Sequence, residues 1–356
     1  MRNHQGARVL RAALLAWFDR EKRDLPWRRT RDPYAIWISE VMLQQTQVQR
    51  VLDYWPRFLE RFPTTNALAE APLDDVLAAW SGLGYYSRAR NLHRAARQIA
   101  AGHGGQLPRT SPQLRALSGF GPYTAGAVAS IAFGEPAPAV DGNVARVLSR
   151  LDAIEGAPGD RRREARLWAR ADELVAGERP GDLNQALMEL GALVCTPISP
   201  SCLLCPLRGS CAALAQGRVA ELPPPRARPP RALLEVAAAY CERRGRILLA
   251  RRPGLGLFGG LWELPSVEGG DGQALGALFE PAASACRRLG TVRRTLTHRE
   301  LRIDVWALVL PARAALHRGT DARWVSRGQL DALGISSATR QVLALGEAAC
   351  ARSSTR

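Results

Sequence analysis

Five prolines lie within the ten residues 221–230, in the stretch ELPPPRARPP, and they separate the chain into two parts. Proline lacks the amide hydrogen that a helix or a central strand needs, so such a run favours extended polyproline geometry. The length of 356 residues is itself typical of about two domains. We therefore predict a first domain over residues 1–220, a linker over 221–232 and a second domain over 233–356.

The first part has the spacing of an almost entirely helical domain, since apolar residues recur at intervals of three and four. Asp32, followed by proline, is a typical N-cap, so we expect a helix to begin there and to run through YAIWISEVML. Thr46 with Gln49 matches a capping box and predicts a second helix start. Gln44 and Gln45 then fall in an exposed turn between the two helices.

The second part mixes strand and helix patterns. Residues 245–252 and 299–310 are predicted to be strands, because polar and apolar side chains alternate along the latter. Residues 273–288 and 328–346 are predicted to be helices. We expect a small α+β domain here, so the whole chain combines an all-α domain with an α+β domain.

The charge balance indicates a polyanionic partner. The chain carries 49 basic and 33 acidic side chains, a formal net charge of +16. Such a protein often binds nucleic acid, although a solvated surface in an arginine-rich proteome has the same balance. No apolar run is long enough to span a bilayer, and the N-terminal segment lacks the pattern of a secretory signal. We expect a cytoplasmic monomer with no membrane partner, in a reducing compartment where disulfides are rare.

Four of the seven cysteines lie close together, at Cys195, Cys202, Cys205 and Cys211. Four thiolates at C-x6-C-x2-C-x5-C spacing suit a [4Fe–4S] cluster. A four-thiolate zinc site usually has two paired C-x2-C knuckles, and this stretch has one. Four unliganded thiols are a third possibility, but free cysteines are normally scattered through cores rather than gathered in a loop.

The segment LSGFGPYTAGAV at 117–128 has the pattern of a tight hairpin that leads into a helix. Gly119 and Gly121 allow a sharp turn with surface N–H groups, and the helix N-terminus that follows favours an anion. Together they predict a clamp for DNA phosphate that ignores base sequence. An ordinary turn before a helix has the same pattern, so the later motifs are needed to support this interpretation.

Two carboxylates have surroundings that favour opposite charge states. Glu40 is the only acid between Asp32 and Asp53, and its apolar neighbours favour the protonated form. Asp141 precedes the helical stretch GNVARVLSR, and a helix N-terminus favours the ionised form. Each has a simpler explanation when taken alone: a glutamate on a solvated helix face, and an aspartate that only caps a helix.

The order of hairpin, aspartate loop and cysteines resembles the endonuclease III superfamily of helix-hairpin-helix glycosylases, over about residues 8–215. Within it, SEVMLQQTQV at 39–48 and VDGNV at 140–144 closely match the catalytic motifs of MutY-type adenine DNA glycosylases. The resemblance implies excision of adenine mispaired with 8-oxoguanine or guanine in double-stranded DNA. It also implies a [4Fe–4S] cofactor whose metal ligands are the four clustered cysteines.

The resemblance assigns a role to each catalytic residue. Glu40 would protonate the adenine, Asp141 would stabilise the oxocarbenium ion or trap it covalently, and Asn143 would hydrogen-bond within the site. Tyr123 takes the place of the lysine whose amine forms a Schiff base in endonuclease III, and a phenol cannot do this. The implied enzyme is monofunctional and removes the base without cleaving the strand.

Adenine in a duplex must be flipped out before it can be excised, at a cost in stacking energy. Gln45 and Tyr85 resemble the family's wedges that fill the vacated stack, and Leu83 is their neighbour. The expected DNA contacts of the first domain are Gln45, Thr46, Leu83, Tyr85, Gly119 and Gly121. Tyr85 and Tyr86 would be core residues in a simpler interpretation, but the glycines beside Leu83 and the arginines that follow favour an exposed loop facing DNA.

The second domain resembles a Nudix fold. LARRPGLGLFGGLWELP at 249–265 is similar to the start of the MutT-like domain at the C-terminus of MutY proteins. A working Nudix hydrolase holds Mg²⁺ with R-E-x2-E-E, whereas 268–290 contains only three acids, so we expect binding rather than hydrolysis. The family contacts 8-oxoguanine through Phe-Ser-His; this chain has Leu296, Thr297 and His298, and we expect the last two to make the contact.

Two other functions remain open. An endonuclease III-type glycosylase with lyase activity is disfavoured by Tyr123 and by the second domain. A DNA-binding protein without catalysis, built on an inherited scaffold, is disfavoured by the presence of both Glu40 and Asp141. A strand-nicking assay tests the former alternative and a base-release assay tests the latter.

Overall fold

The computed structural model describes residues 2–225, 230–254, 256–283, 285–317 and 320–354. Its contacts divide the chain into two units, the first of Met1–Glu70 with Arg94–Arg228 and the second of Ala71–His93 with Pro229–Arg356. The second unit thus includes a segment that lies far before the proline stretch in the sequence. Residues 226–229 of that stretch fall outside the described residues.

The chain before the proline stretch forms twelve α-helices in its described residues. They are α1 (Arg2–Glu21), α2 (Pro33–Leu43), α3 (Val48–Arg61), α4 (Thr65–Glu70), α5 (Leu73–Ala79), α6 (Ser87–His103), α7 (Ser111–Arg115), α8 (Pro122–Phe133), α9 (Gly142–Leu151), α10 (Arg161–Val175), α11 (Pro180–Leu193) and α12 (Ala212–Ala215). In the first unit, apolar side chains of α1, α9, α10 and α11 form one continuous core. No helix in the described part of the chain is long and apolar enough to cross a membrane.

Helix α2 begins where the sequence predicts. The Asp32 side chain accepts hydrogen bonds from the backbone N–H groups of Tyr34 and Ala35, which caps the helix. The predicted turn after α2 is also present, but the predicted capping box is wrong. The N-cap of α3 is Gln47, it makes no side-chain cap bond, and the Thr46 hydroxyl instead donates to the carbonyl of Gln44.

The predicted hairpin connects α7 to α8. Gly119 has a φ of 79°, a left-handed conformation that disfavours other residues, and Gly121 is the N-cap of α8. Between them the Phe120 ring stacks on Trp37 of α2, with the ring centroids 5.2 Å apart. This buried ring fixes the exposed turn to the core of the first unit.

Helices α9 and α11 approach closely at a glycine. A Cβ on Gly191 would lie 2.6 Å from the Cβ of Asn143, so a larger residue would push the helices apart. The contact places the first turn of α9, which carries Asn143, against the last turns of α11.

In its described residues the second unit contains two four-stranded sheets and one two-stranded sheet. Its elements are β1 (Ala232–Tyr240), β2 (Glu242–Arg243), β3 (Arg246–Arg251), β4 (Trp262–Glu263), β5 (Ser266–Glu268), α13 (Gly272–Gly276), β6 (Phe279–Glu280), β7 (Ala285–Thr295), β8 (Arg299–Val309), β9 (Ala315–Leu316), β10 (Ala322–Ser326) and α14 (Ser337–Ser354). The first sheet has the order β5-β1-β8-β7, in which β1 and β8 are parallel. The second has the order β10-β3-β2, with β4 also paired to β3, and β6 pairs with β9.

The strands predicted at 245–252 and 299–310 are confirmed as β3 and β8. The helix predicted at 273–288 is wrong over most of its length, because α13 ends at Gly276 and β7 begins at Ala285. Strand β7 pairs with β8 along nearly its whole length, and this ladder outweighs the local helical pattern. The helix predicted at 328–346 is a 3₁₀ turn followed by α14, separated at residues 333–336.

Candidate active site

Glu40 lies on α2 and is almost fully buried, with 6% of its surface exposed. Its Oε2 accepts a hydrogen bond from the hydroxyl of Tyr123 over 2.7 Å. Burial raises the pKa of Glu40 to about 7; the Tyr123 bond lowers it, the charge of Asp141 raises it and the charge of Arg28 lowers it. A carboxyl group with this pKa holds a proton in a large fraction of molecules near neutral pH.

Tyr123 occupies the first turn of α8. Its hydroxyl lies between Oε2 of Glu40 and Sδ of Met188, the latter 3.6 Å away. Burial, together with the charges of Glu40 and Asp141, raises the pKa of Tyr123 well above its ordinary value. The residue therefore remains a neutral phenol that donates a hydrogen bond.

Asp141 is the N-cap of α9, as the sequence predicts. Its carboxylate accepts from the backbone N–H of Val144 over 2.7 Å and from Nδ2 of Asn143 over 3.0 Å. The pKa of Asp141 nevertheless moves upward, because burial outweighs these bonds and the charge of Arg146. The helix N-terminus alone led us to expect that the ionised form of Asp141 is favoured, and this expectation is corrected. The capping bonds lower the pKa of Asp141, but burial raises it by more.

Asn143 is held by a second hydrogen bond. Arg146 donates from Nη2 to the side-chain oxygen of Asn143 over 2.8 Å and to the carbonyl of Gly191 over 2.7 Å. Its Nε donates to the carbonyl of Cys195 over 2.8 Å. Asn143 is therefore oriented with its amide nitrogen towards Asp141, and the orientation depends on α9, on α11 and on the start of the cysteine loop.

The structure adds residues that the sequence analysis did not select. Arg28 lies near enough to Glu40 to lower its pKa, and α11 contributes Gln185, Met188 and Glu189 beside it. Glu189 is 1% exposed although it is charged. A signal was available in the sequence, because Glu189 is the only acid between Asp182 and Glu221, the same kind of isolation that singled out Glu40.

The four clustered cysteines line one small apolar cavity, together with Val194, Leu214 and Val219. Burial, together with the charges of the other three sulfurs, raises the pKa of Cys205 to about 11, although a backbone hydrogen bond from Leu207 lowers it. Arg150 borders the cavity, with Nη1 3.4 Å from Sγ of Cys195. Within the described residues, no group of three or more His, Cys, Asp or Glu side chains is arranged to hold a metal ion.

Gln45 and Thr46 lie in the turn between α2 and α3. Gln45 has a φ of 55°, which is unusual for a residue other than glycine. The amide of the preceding Gln44 donates to the hydroxyl of Thr124 on α8 over 3.0 Å. This bond connects the turn to the helix that follows the Gly119–Gly121 hairpin.

The second unit contains a cleft of about 500 Å³, which is lined by Tyr85, Phe258, Thr297 and His298 among others. The hydroxyls of Tyr85 and Thr297 lie 2.6 Å apart and are hydrogen-bonded. Tyr85 is 39% exposed and has a φ of 48°. The expected exposure of this loop is observed for Tyr85, whereas Leu83 is 6% exposed and packs inside the unit.

A helix-hairpin-helix turn, together with a buried Glu40 and a part-buried Asp141, defines a class of DNA repair protein. Residues 38–173 match the HhH-GPD superfamily of base excision DNA repair proteins, and residues 236–345 match the NUDIX domain. These matches confirm the predicted combination of an all-α glycosylase domain with a Nudix-like α+β domain.

The relatives define the family more narrowly. The chain is 40% identical to the adenine DNA glycosylase of Homo sapiens, over 94% of this chain and 73% of the human protein. It is also 40% identical to that of Rattus norvegicus, over 95% of this chain and 78% of the relative. The chain belongs to the adenine DNA glycosylase family, as the sequence motifs predict.

Solved structures similar to the chain cover its helical part. One is a thermostable thymine-DNA glycosylase, with a TM-score of 0.54 and 30% identity over 60% of this chain and 98% of that one. Another is endonuclease III in a non-covalent complex with DNA, with a TM-score of 0.50 and 25% identity over 60% of this chain and 97% of that one. The chain therefore shares its fold, over 60% of its length, with a thymine-DNA glycosylase and with endonuclease III.

Proposed function

We propose that this adenine DNA glycosylase excises adenine opposite 8-oxoguanine, or opposite guanine, in duplex DNA by a monofunctional mechanism. The observation that carries the proposal is the buried Tyr123–Glu40 hydrogen bond with Asp141 as a second carboxylate. Excision of a purine needs a proton donor for the leaving base and a negative charge for the sugar cation. Two carboxyl groups held by different hydrogen bonds meet both needs.

Glu40 supplies the proton in this mechanism. A ring nitrogen of adenine takes the proton, so the electron pair of the glycosidic bond leaves with a neutral base. The deoxyribose becomes an oxocarbenium ion, which the carboxylate of Asp141 stabilises or traps; Val144 and Asn143 hold that carboxylate in place. Water then adds to the anomeric carbon and its proton returns to Glu40, so the enzyme is regenerated.

The proposed enzyme does not cleave the strand, because the described residues of the site lack the amine that cleavage requires. Strand cleavage through a Schiff base needs a nucleophilic amine, and Tyr123 is a phenol with a raised pKa. Lys22 is the only lysine in the chain, and its Nζ lies 5.3 Å from the ring centroid of Phe18. We therefore assign no lysine the part of the Schiff-base nucleophile.

The two wedge candidates share an uncommon backbone conformation. Gln45 and Tyr85 both have positive φ, a strain that usually persists at functional positions where the surrounding structure enforces it. We place both against the stack that adenine vacates, with Thr46 and Leu83 as their neighbours. The turn at Gly119 and Gly121, followed by the N-terminus of the 12-residue helix α8, grips a phosphate.

The second unit contacts the oxidised base. The hydroxyl of Thr297 and that of Tyr85 form a polar pair in the cleft, beside His298. Compared with guanine, 8-oxoguanine has an additional N7–H donor and a C8 oxygen acceptor, so a hydroxyl pair can distinguish the two bases. One good contact of this kind is worth about 1–3 kcal/mol of discrimination.

The four cysteines are the proposed ligands of a [4Fe–4S] cluster. Their side chains line one cavity, and burial raises the pKa of Cys205 and Cys211, so their thiolate forms require a nearby positive charge. In a cluster each thiolate binds a different iron, so the sulfurs stand farther apart than ligands of a single ion. Bound there, the cluster would tie the loop 195–211 together through iron–thiolate bonds, and Arg150 would lie beside its Cys195 ligand.

The proposal is tested on duplexes that contain A:8-oxoguanine, A:G, A:T and C:8-oxoguanine. We expect adenine release from the first two duplexes, fastest from A:8-oxoguanine, and little release from the others. Strand breaks should appear only after alkali treatment, and borohydride should trap no protein–DNA adduct. Adduct formation would instead support the endonuclease III-type alternative, and binding without base release would support a non-catalytic protein.

A further inference from the structure

We propose that Glu189 is a positioning residue for catalysis, which holds Arg28 beside the active site and neutralises its charge so that Glu40 keeps its proton. The inference rests on the proposed role of Glu40 as the acid. In this inference Glu189 acts through Arg28 rather than by direct contact with the substrate or with Glu40.

Arg28 is fixed by several partners in the first unit. Its Nη1 and Nη2 each donate to a different oxygen of Glu189 over 3.0 Å, which is a bidentate ion pair. Its Nε donates to the side chain of Gln185 over 3.2 Å, and Nη1 also donates to the carbonyl of Arg23. The guanidinium lies 5.2 Å from the ring centroid of Phe18. With 13% of its side chain exposed, Arg28 has little access to screening water.

Glu189 is buried and is bound by two arginines. The carboxylate is 1% exposed and accepts hydrogen bonds from Arg28 and also from the backbone N–H, Nε and Nη2 of Arg23. Burial alone raises its pKa, but the bonds and charges of the two arginines outweigh burial and bring the pKa to about 2. Glu189 is therefore ionised at every pH at which the enzyme works.

The charges around Glu40 determine whether its pKa should rise or fall when Glu189 is replaced. The groups that shift its protonation are Tyr123 from α8, Asp141 at the start of α9 and Arg28 from the turn after α1. Arg28 favours ionised Glu40 and so opposes an acid role. An unpaired Arg28 would oppose it more strongly, because a buried charge without a counter-ion acts over a longer distance. The negative charge of Glu189 limits this effect, while Arg28 remains next to the site.

The substitution Glu189→Gln keeps the shape of the side chain and removes its charge. We expect the decline of the single-turnover excision rate with increasing pH to move to lower pH by on the order of one unit. Glu189→Asp keeps the charge and shortens the side chain, so its decline should stay at the wild-type pH even if the melting temperature falls. In the double variant Arg28→Gln/Glu189→Gln both charges are lost, and the decline should return towards the wild-type position.

Arg23→Gln is the matched control, because it removes the other arginine that is paired with Glu189. The side chain of Arg23 is 35% exposed. Its pH profile should keep the wild-type position. A purely structural role for Glu189 predicts a lower rate by the same factor at all pH values, with no movement of the decline, and this result would overturn the inference. So would an equal movement in Arg23→Gln. Near-normal activity of Glu40→Gln would overturn the proposed acid itself, which separates the failure of the two ideas.

Discussion

Tyr123 donates its hydroxyl hydrogen to Glu40, and this bond stabilises the ionised form of a carboxylate that burial drives towards protonation. The two residues are 83 positions apart and come from α8 and α2. Their pairing keeps the pKa of Glu40 at about 7 instead of at a still higher value. A general acid is most useful when its pKa lies near the working pH.

The pH dependence of excision should follow this pKa. Because protonated Glu40 is the active form in the proposed mechanism, the single-turnover rate should fall as pH rises through about 7. Tyr123→Phe removes a bond that favours the ionised form, so it should raise the pKa and move the decline to higher pH. The control is Tyr54→Phe on α3, which should leave the profile in place. A decline that stays at the wild-type pH in Tyr123→Phe would contradict the assigned influence of this bond.

Glu40→Gln should abolish adenine release while DNA binding survives. The amide has nearly the same shape but cannot give up a proton, and loss of a general acid typically lowers the rate about 10²–10⁴-fold. Excision and duplex affinity should be measured on the same protein preparation. The exposed Glu60→Gln on α3 is a matched control and should behave as wild type. Substantial turnover by Glu40→Gln would mean that another group supplies the proton.

The purified protein should be brown and should contain iron and inorganic sulfide in a ratio that matches a [4Fe–4S] cluster. Cys202→Ser should reduce the iron content and the visible absorbance, because one of four thiolate ligands is lost. Cys350→Ser, on α14, should change neither. Metal analysis that finds zinc, in a colourless protein, would refute the cluster assignment.

Thr297→Ala should reduce the preference for A:8-oxoguanine over A:G, by about 5- to 150-fold if a single contact worth about 1–3 kcal/mol is lost. Thr297→Ser retains the hydroxyl and should retain most of the preference. Tyr85→Phe removes the partner of that hydroxyl and should cause an intermediate loss. Single-turnover rates and dissociation constants on both duplexes provide the measurement. If the ratio of the excision rates on A:8-oxoguanine and A:G is the same in Thr297→Ala as in the wild type, the oxidised base is recognised by other residues.

Several elements could be predicted from the sequence because their causes are local. The start of α2 depends on Asp32 and the two amides after it, and the α7–α8 hairpin depends on the conformational freedom of Gly119. Strand β8 has an alternating pattern and strand β3 has a short apolar run, and each signal lies within the strand's own residues. The family motifs around Glu40 and Asp141 are short enough to be recognised without any knowledge of the fold.

Predictions were wrong where distant partners outweighed local preference. The segment predicted as a helix at 273–288 has helical composition, but its C-terminal part joins a ladder with β8 that satisfies its backbone groups. The capping box at Thr46 did not form, because the turn continues one residue further and Gln47 is the N-cap of α3. The upward pKa shift of Asp141 depends on burial by the surrounding helices, which a helix N-terminus alone does not reveal.

The sequence alone determined the family, the candidate catalytic groups and the cluster of four cysteines, because each follows from the identity and spacing of nearby residues. Only the tertiary structure decided which groups meet. Glu40 is joined to Tyr123 and affected by Arg28, Arg28 is paired with Glu189 of α11, and Tyr85 is bonded to Thr297, 212 positions away. Hydrogen bonds and charges act over a few ångströms in space, whatever the separation along the chain, so the distant groups that shift the pKa of Glu40 could be identified only after the helices were placed.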